Sequence, residues 1–249
     1  MTPPTAPETV PALARETFEA RSIRVPEAGG AVEFGYRLLP PDPAASGPHP
    51  LVVFLHGAGE RGSDNVSQLK FLPAWLAEPA LRRRHPAFVL ALQCRMDHRW
   101  VEVSWADARS TPQPAAPTTD LAAVTAAIDA VVAREAVDPA RIYLTGLSMG
   151  GFGAWDLAVR WPGRFAAVVP ICGGGDERLA ARLASLPIWC VHGDDDRVVP
   201  VERSREMIAA IRQAGGRPIY SELAAVGHDS WTPAYRGGFV LDWLFSQRR

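Results

Sequence analysis

Between residues 51 and 55 the chain reads Leu-Val-Val-Phe-Leu, and between 88 and 92 Phe-Val-Leu-Ala-Leu. Runs this short and this apolar predict strands covered on both faces. From Asp120 to Glu135, apolar Leu121, Val124, Ile128, Val131 and Val132 recur at three- and four-residue steps. That period predicts a helix whose first turn is capped by Asp120 or a preceding Thr. Ile142 to Thr145 reads as a further strand, followed by a helical stretch that ends near Arg160, ahead of Pro162 and Gly163. The alternation continues with strands at 166–171, 188–191 and 219–223, a helix over 201–214 stopped by Gly215-Gly216, and a C-terminal helix. Upstream, Phe18 to Leu39 predicts two edge strands around a turn at Gly29-Gly30, and the proline-rich stretch 40–50 predicts a loop. Repeated β-α alternation implies an α/β fold with a mostly parallel central sheet and helices on both faces. Residues 1–17, rich in Pro and Ala, are expected to be a flexible N-terminal segment, with 18–249 forming one domain.

Composition narrows the functional classes. The 26 basic and 27 acidic residues give a net charge of -1, so no positive field draws the chain to nucleic acid or anionic lipid. No uninterrupted apolar run is long enough for a membrane span, and the Pro-rich start lacks the features of a secretory signal, so a cytoplasmic location is expected. Cys94, Cys172 and Cys190 are odd in number, lie in apolar stretches and lack metal-like spacing; neither a disulfide framework nor a metal site is expected. No phosphate-binding glycine loop is present, and no cofactor is expected.

Chemistry enters at Gly146-Leu147-Ser148-Met149-Gly150, a Gly-x-Ser-x-Gly run between a predicted strand and a predicted helix. A turn that tight strains the backbone at the serine and brings strand and helix so close that side chains at Gly146 and Gly150 would obstruct it. A serine hydroxyl needs a histidine to take its proton and a carboxylate to orient that histidine. Of the two histidines after Ser148, His192 ends a strand, whereas His228 lies in a polar loop before the last helix and is the better base. The acid belongs in the turn Asp194-Asp195-Asp196; Asp196 is chosen as the last carboxylate before the chain turns back, with Asp194 or Asp195 read as solvated. Asp229 adjoins His228, but sequence neighbours rarely reach the geometry a His-Asp pair requires. A developing oxyanion needs two aligned donors, assigned to the amides of Met149 and Ala58, with Gly59 as the alternative to Ala58. His56 is read as structural.

The runs LHGAGERGSDN (55–65), LTGLSMGGFGAWDLA (144–158), VPICGGGD (169–176), HGDDDRVVP (192–200) and VGHDSWTPAY (226–235) together resemble one branch of the α/β-hydrolase superfamily. That branch comprises peptidases and esterases related to dienelactone hydrolases, feruloyl and acetyl xylan esterases and the prolyl oligopeptidase catalytic domain. The resemblance covers nearly all the chain from Phe18 and implies an α/β-hydrolase fold without a large lid. It also implies a triad acid at Asp196 and a base at His228, in agreement with the choice by position. The expected activity is that of a carboxylesterase acting on a small-molecule ester through an acyl-enzyme; a peptidase of the prolyl oligopeptidase-like type and a non-catalytic binding protein are the alternatives. Glu60, Arg61, Asp64 and Asn65 are expected to lock the oxyanion loop through side-chain hydrogen bonds. Of eight tryptophans, Trp100, Trp105 and Trp231 sit in loop-like segments near the triad, as site wall or as packing; Trp105 and Trp231 are the substrate-binding candidates, and Trp155 and Trp243 are expected in the core.

Overall fold

A computed structural model describes residues 9–249. In chain order its elements are α1 (Ala12–Thr17), β1 (Glu19–Glu27), β2 (Gly30–Leu39), β3 (His49–Leu55), α2 (Leu72–Leu76), α3 (Pro79–Arg84), β4 (Phe88–Leu92), α4 (Thr119–Arg134) and β5 (Val137–Leu147). They continue with α5 (Met149–Arg160), β6 (Ala167–Ile171), β7 (Trp189–Gly193), α6 (Glu202–Gln213), β8 (Ile219–Leu223), α7 (Trp231–Arg236) and α8 (Phe239–Ser246). The eight strands form one sheet in the order β1-β2-β4-β3-β5-β6-β7-β8, antiparallel at β1/β2 and β2/β4 and parallel thereafter. The α/β expectation therefore holds. β2, however, is not an edge strand: it pairs with β4 through Tyr36 to Leu39 while β1 takes the rim.

Strand alternation divides the core. Leu51, Val53 and Leu55 of β3 face a layer containing Val124, Ile128, Phe152, Trp155, Met207 and Ile211 from α4, α5 and α6. Val52 and Phe54 face the opposite layer, with Leu72, Trp75, Tyr235 and Leu244 from α2, α7 and α8. Every residue of β3, β4 and β6 is buried, as their apolar runs demand. Trp155 lies in the core at 0% exposure, and Trp243 packs edge-on against Trp189. Thr118 caps α4 by accepting from the Leu121 N–H; Asp120, the other candidate, instead ion-pairs with Arg95. The N-terminal boundary moves as well. Residues 1–8 lie outside the described residues, but Val10, Ala14 and Phe18 are buried in the second layer, so 10–17 packs as part of the domain instead of fraying. Among the described residues, no helix is long and apolar enough to cross a membrane.

Topology fixes where chemistry can sit. After β3 the chain runs to β4 on one side, then crosses back to β5 on the other. The loops leaving the C-terminal ends of β3 and β5 thus diverge and open a crevice at Leu55-His56 and Leu147-Ser148. Tight packing closes the floor beneath it. A Cβ on Gly150 would lie 1.9 Å from the Leu55 carbonyl oxygen, and one on Gly146 would lie 2.2 Å from the Gly150 oxygen. Gly150→Ala must therefore push α5 off β3, at a cost of more than about 3 kcal/mol. Urea unfolding checks this, and an unchanged midpoint contradicts the packing.

Candidate active site

Ser148 sits at the β5-α5 turn with φ 53° and ψ -120°, a strained conformation for a residue with a side chain. Its N–H donates to the Ile171 carbonyl of β6 at 3.0 Å, which leaves the hydroxyl pointing free of the sheet. The loop after β8 brings His228 over it: Nε2 lies 2.9 Å from Ser148 Oγ, and Nδ1 lies 2.7 Å from Asp196 Oδ2. That approach needs Gly193, where a Cβ would strike the Val226 carbonyl oxygen at 2.2 Å. The order Ser-Asp-His chosen from position is the order that meets in space.

Asp196 is held from all sides. Its Oδ1 accepts the amides of Val198 and Val199 at 2.8 and 3.0 Å, and its side chain has 0% exposure. Burial alone pushes such a carboxyl up, but hydrogen bonds from His192, His228 and the two amides outweigh it and hold Asp196 well below the usual carboxylate range. It is therefore a fixed negative charge beside His228. Asp194 is more than a solvated turn residue, because its Oδ1 accepts the Ala225 N–H at 2.7 Å and ties the acid loop to the base loop. Asp195 pairs with exposed Arg197. Asp229 accepts from the Thr232 N–H and hydroxyl at 3.0 Å each, steadying the first turn of α7.

His192, which is not in reach of Ser148, still has a place in this network. Fully buried, it puts Nε2 3.2 Å from Asp196 Oδ2 and 3.0 Å from the Val199 carbonyl. Two acceptors around Nε2 call for a proton there, and Nδ1 lies 2.7 Å from the Ser204 hydroxyl, which also reaches the Gly173 carbonyl at 3.1 Å. The signal was the histidine that opens HGDDDRVVP, four residues before the acid. His56 is structural as expected: its Nδ1 bonds the Gly57 carbonyl, its Nε2 accepts the Cys94 amide at 2.9 Å, and burial pushes its pKa down to about 4.

The loop after β3 is braced as predicted. Arg61 donates to the Ala58 carbonyl at 2.9 Å, Asp64 accepts from the Val66 and Ser67 amides, and Gln93 bridges Glu60, Asp64 and Asn65. Ala58 opens a short 3-10 turn (Ala58–Glu60), and Met149 opens α5. First-turn amides have no carbonyl behind them within their own helix, so both N–H groups are available. A cavity of about 220 Å³ lies against these elements, lined by Gly57, Ala58, Gly59, Glu60, Phe71, Trp105, Leu147, Ser148, Val198, His228 and Trp231. Trp105 and Trp231 are thus wall residues, Trp231 meeting the His228 ring edge-on at 5.3 Å as the first residue of α7 and not in a loop. Trp100 is packing: its indole is buried and donates to the His56 carbonyl at 3.0 Å. Phe71, whose φ of 61° turns the chain into α2, is a wall residue that sequence periodicity did not single out.

The family described as Esterase PHB depolymerase matches residues 34–181, more than half of the chain. The chain belongs to the Esterase PHB depolymerase family. A solved thermostable esterase superposes with a TM-score of 0.86 at 40% identity, covering 95% of this chain and 64% of that one. An acylaminoacyl peptidase solved with a Z-Gly-Gly-Phe-chloromethyl ketone superposes at TM-score 0.67 with 16% identity over 93% of this chain and 42% of that one, a likeness of fold. A poly(3-hydroxyalkanoate) depolymerase C from Paucimonas lemoignei is 43% identical over 47 residues, 19% of this chain and 11% of that protein. The chain therefore spans less than two thirds of the length of each of these relatives. The expected α/β-hydrolase relatives, esterases and peptidases alike, are the ones found.

Within this family member one wall group titrates unusually. Glu60 is 7% exposed, and burial raises its pKa above the ordinary 4.5, outweighing the opposing pull of Lys70 and of the neighbouring backbone amides. A raised folded-state pKa means the charged form is penalised on folding, so stability is lost as pH rises through and beyond the ordinary value. Glu60→Gln keeps an acceptor oxygen and removes that penalty. It should melt above wild type at about pH 8, with the gap closing in acid below the unfolded-state value. Equal melting temperatures at the alkaline end contradict the assignment.

Proposed function

We propose that the protein hydrolyses carboxylic esters by an acyl-enzyme route on Ser148. The observation that carries this reading is the unbroken line Ser148 Oγ, His228, Asp196, at 2.9 and 2.7 Å, with Ser148 and His228 on the wall of a cavity. An ester carbonyl enters the cavity, and the Ser148 hydroxyl attacks it as His228 Nε2 takes the hydroxyl proton. Asp196 keeps the Nδ1 proton of His228 directed at itself and stabilises the imidazolium. The carbonyl oxygen becomes an oxyanion, met by the amides of Met149 and Ala58. As the tetrahedral adduct collapses, His228 passes its proton to the departing alkoxide, and the acyl group remains on Ser148. Water then repeats the sequence with His228 as base and releases the acid.

The family match and the 40%-identical esterase support ester over amide as the scissile bond. The aromatic wall of Phe71, Trp105 and Trp231 supports an apolar or aromatic ester. In steady-state assays with 4-nitrophenyl esters, Ser148→Ala should lower kcat by at least about 10³-fold, and Asp196→Asn by about 10³ to 10⁴-fold, with the folded state retained. Turnover that survives Ser148→Ala, or cleavage of a short peptide faster than its matched ester, overturns the proposal.

A further inference from the structure

Residues 101–118 cross from the core to the cap of α4 without forming a helix or strand, yet they carry Trp105. A stretch of that length has few backbone partners of its own and must be anchored by side chains. Its far part is anchored by three such contacts. Asp176 accepts the Gln113 N–H at 2.8 Å, Glu177 accepts from the Ser110 hydroxyl, and Arg160 donates to the Pro114 and Ala115 carbonyls at 2.6 and 2.9 Å. The near part has one internal anchor. Arg203, projecting from α6, donates from Nη1 to the carbonyls of Ser104 and Asp107 at 3.2 Å each, and these flank Trp105 and Ala106.

Arg203 is 2% exposed, and its guanidinium lies 5.1 Å over the Phe152 ring. Burial disfavours its charge, and the carboxylates of Glu206, Glu177 and Asp107 only partly offset this. Gly174 makes room for it: a Cβ there would sit 2.8 Å from Arg203 Cβ. A buried guanidinium whose side-chain hydrogen bonds go to carbonyls alone is a costly way to fill space, but the two N–H bonds of Nη1, held in the guanidinium plane, fix two carbonyls at a set angle. Arg99 lies 4.5 Å over the Trp105 ring and donates to the Val103 carbonyl, so the indole is covered on one face while Arg203 holds the backbone on either side of it.

We propose that Arg203 is a positioning residue for substrate: by holding the Ser104 and Asp107 carbonyls it sets Trp105 against the Ser148 cavity and so fixes the room left for the bulkier part of an ester. The inference rests on the ester-hydrolase reading for its kinetic consequence, though not for its structural one. A series from 4-nitrophenyl acetate to octanoate, measured on wild type, Trp105→Ala, Arg203→Met and the double variant, reads the kinetics. Trp105→Ala identifies which esters sense the wall. For those esters Arg203→Met should raise KM about ten-fold with kcat within about two-fold, and in the Trp105→Ala background it should add nothing. A loss that persists in that background, a fall in kcat at constant KM, or no change overturns the inference. Should Arg203→Met fail to fold, Arg203→Lys, which keeps the charge but lacks the rigid planar donor group, should give an intermediate rise in KM, and wild-type KM overturns it.

The structural consequence is read without activity. In protein labelled with 5-fluorotryptophan, the Trp105 resonance, assigned through Trp105→Phe, should broaden or split in Arg203→Met and Gly174→Ala. An unchanged resonance overturns the proposal even if no ester proves to be a substrate. Absence of Ser148-dependent turnover in wild type, with the resonance responding as stated, overturns the ester reading and leaves Arg203 as the anchor of Trp105.

Discussion

The contact between Gly150 and the carbonyl of Leu55 is the constraint from which the rest of the site follows. Only a residue without Cβ lets α5 approach β3 and β5 so closely, since the missing atom would lie 1.9 Å from that oxygen. This approach forces the chain from strand into helix within one residue, and Ser148 takes the strain at φ 53°. It also starts α5 immediately after Ser148, beside the crevice that the His56-Gly57-Ala58 turn enters from β3. Ser148 and the amides proposed as oxyanion donors are thereby set by backbone packing, independently of any flexible side chain. The strain is offset by the buried layers on either side, where β3, β4 and β6 have no exposed residue.

The remaining parts arrive from loops, and each is fixed by hydrogen bonds reaching beyond the loop. Gly193 lets the His228 loop pack against the acid turn, Asp194 bonds across to Ala225, and His192 with Ser204 backs Asp196 from inside the sheet. A chain of polar side chains thus runs from the α6 N-terminal turn to the nucleophile: Ser204, His192, Asp196, His228, Ser148. α6 contributes at a second point through Arg203, one residue before Ser204, so a single helix turn braces both the acid and the aromatic wall.

How much of this could be read from the residues alone depended on whether the signal was local. Buried parallel strands announce themselves as apolar runs, and the turn at Ser148 does so through its glycines, so β3 to β7 and Ser148 were legible, while the half-exposed β8 was read from its place in the β-α alternation. Asp196 and His228 were legible because loop position after a strand limits the choice. β2 was misjudged as an edge strand because pairing with β4 leaves no mark in local pattern. The helices α2, α3 and α7 were missed since each has only five or six residues, too few for a period to show. Packing of Val10 and Ala14 against the second layer is tertiary, and composition pointed the other way. Trp100 and Trp105 could not be separated by sequence, since an aromatic beside the His56 carbonyl and one on a cavity wall have the same local neighbours.

The central claim is that Ser148 is the activated nucleophile, and its most direct test is covalent. Incubation with a fluorophosphonate, followed by intact-mass measurement and peptide mapping, should give one phosphonyl group per chain on the peptide that contains Ser148, lost when the protein is unfolded before treatment. Label on any other residue, or a folded protein that takes up none, would contradict the account.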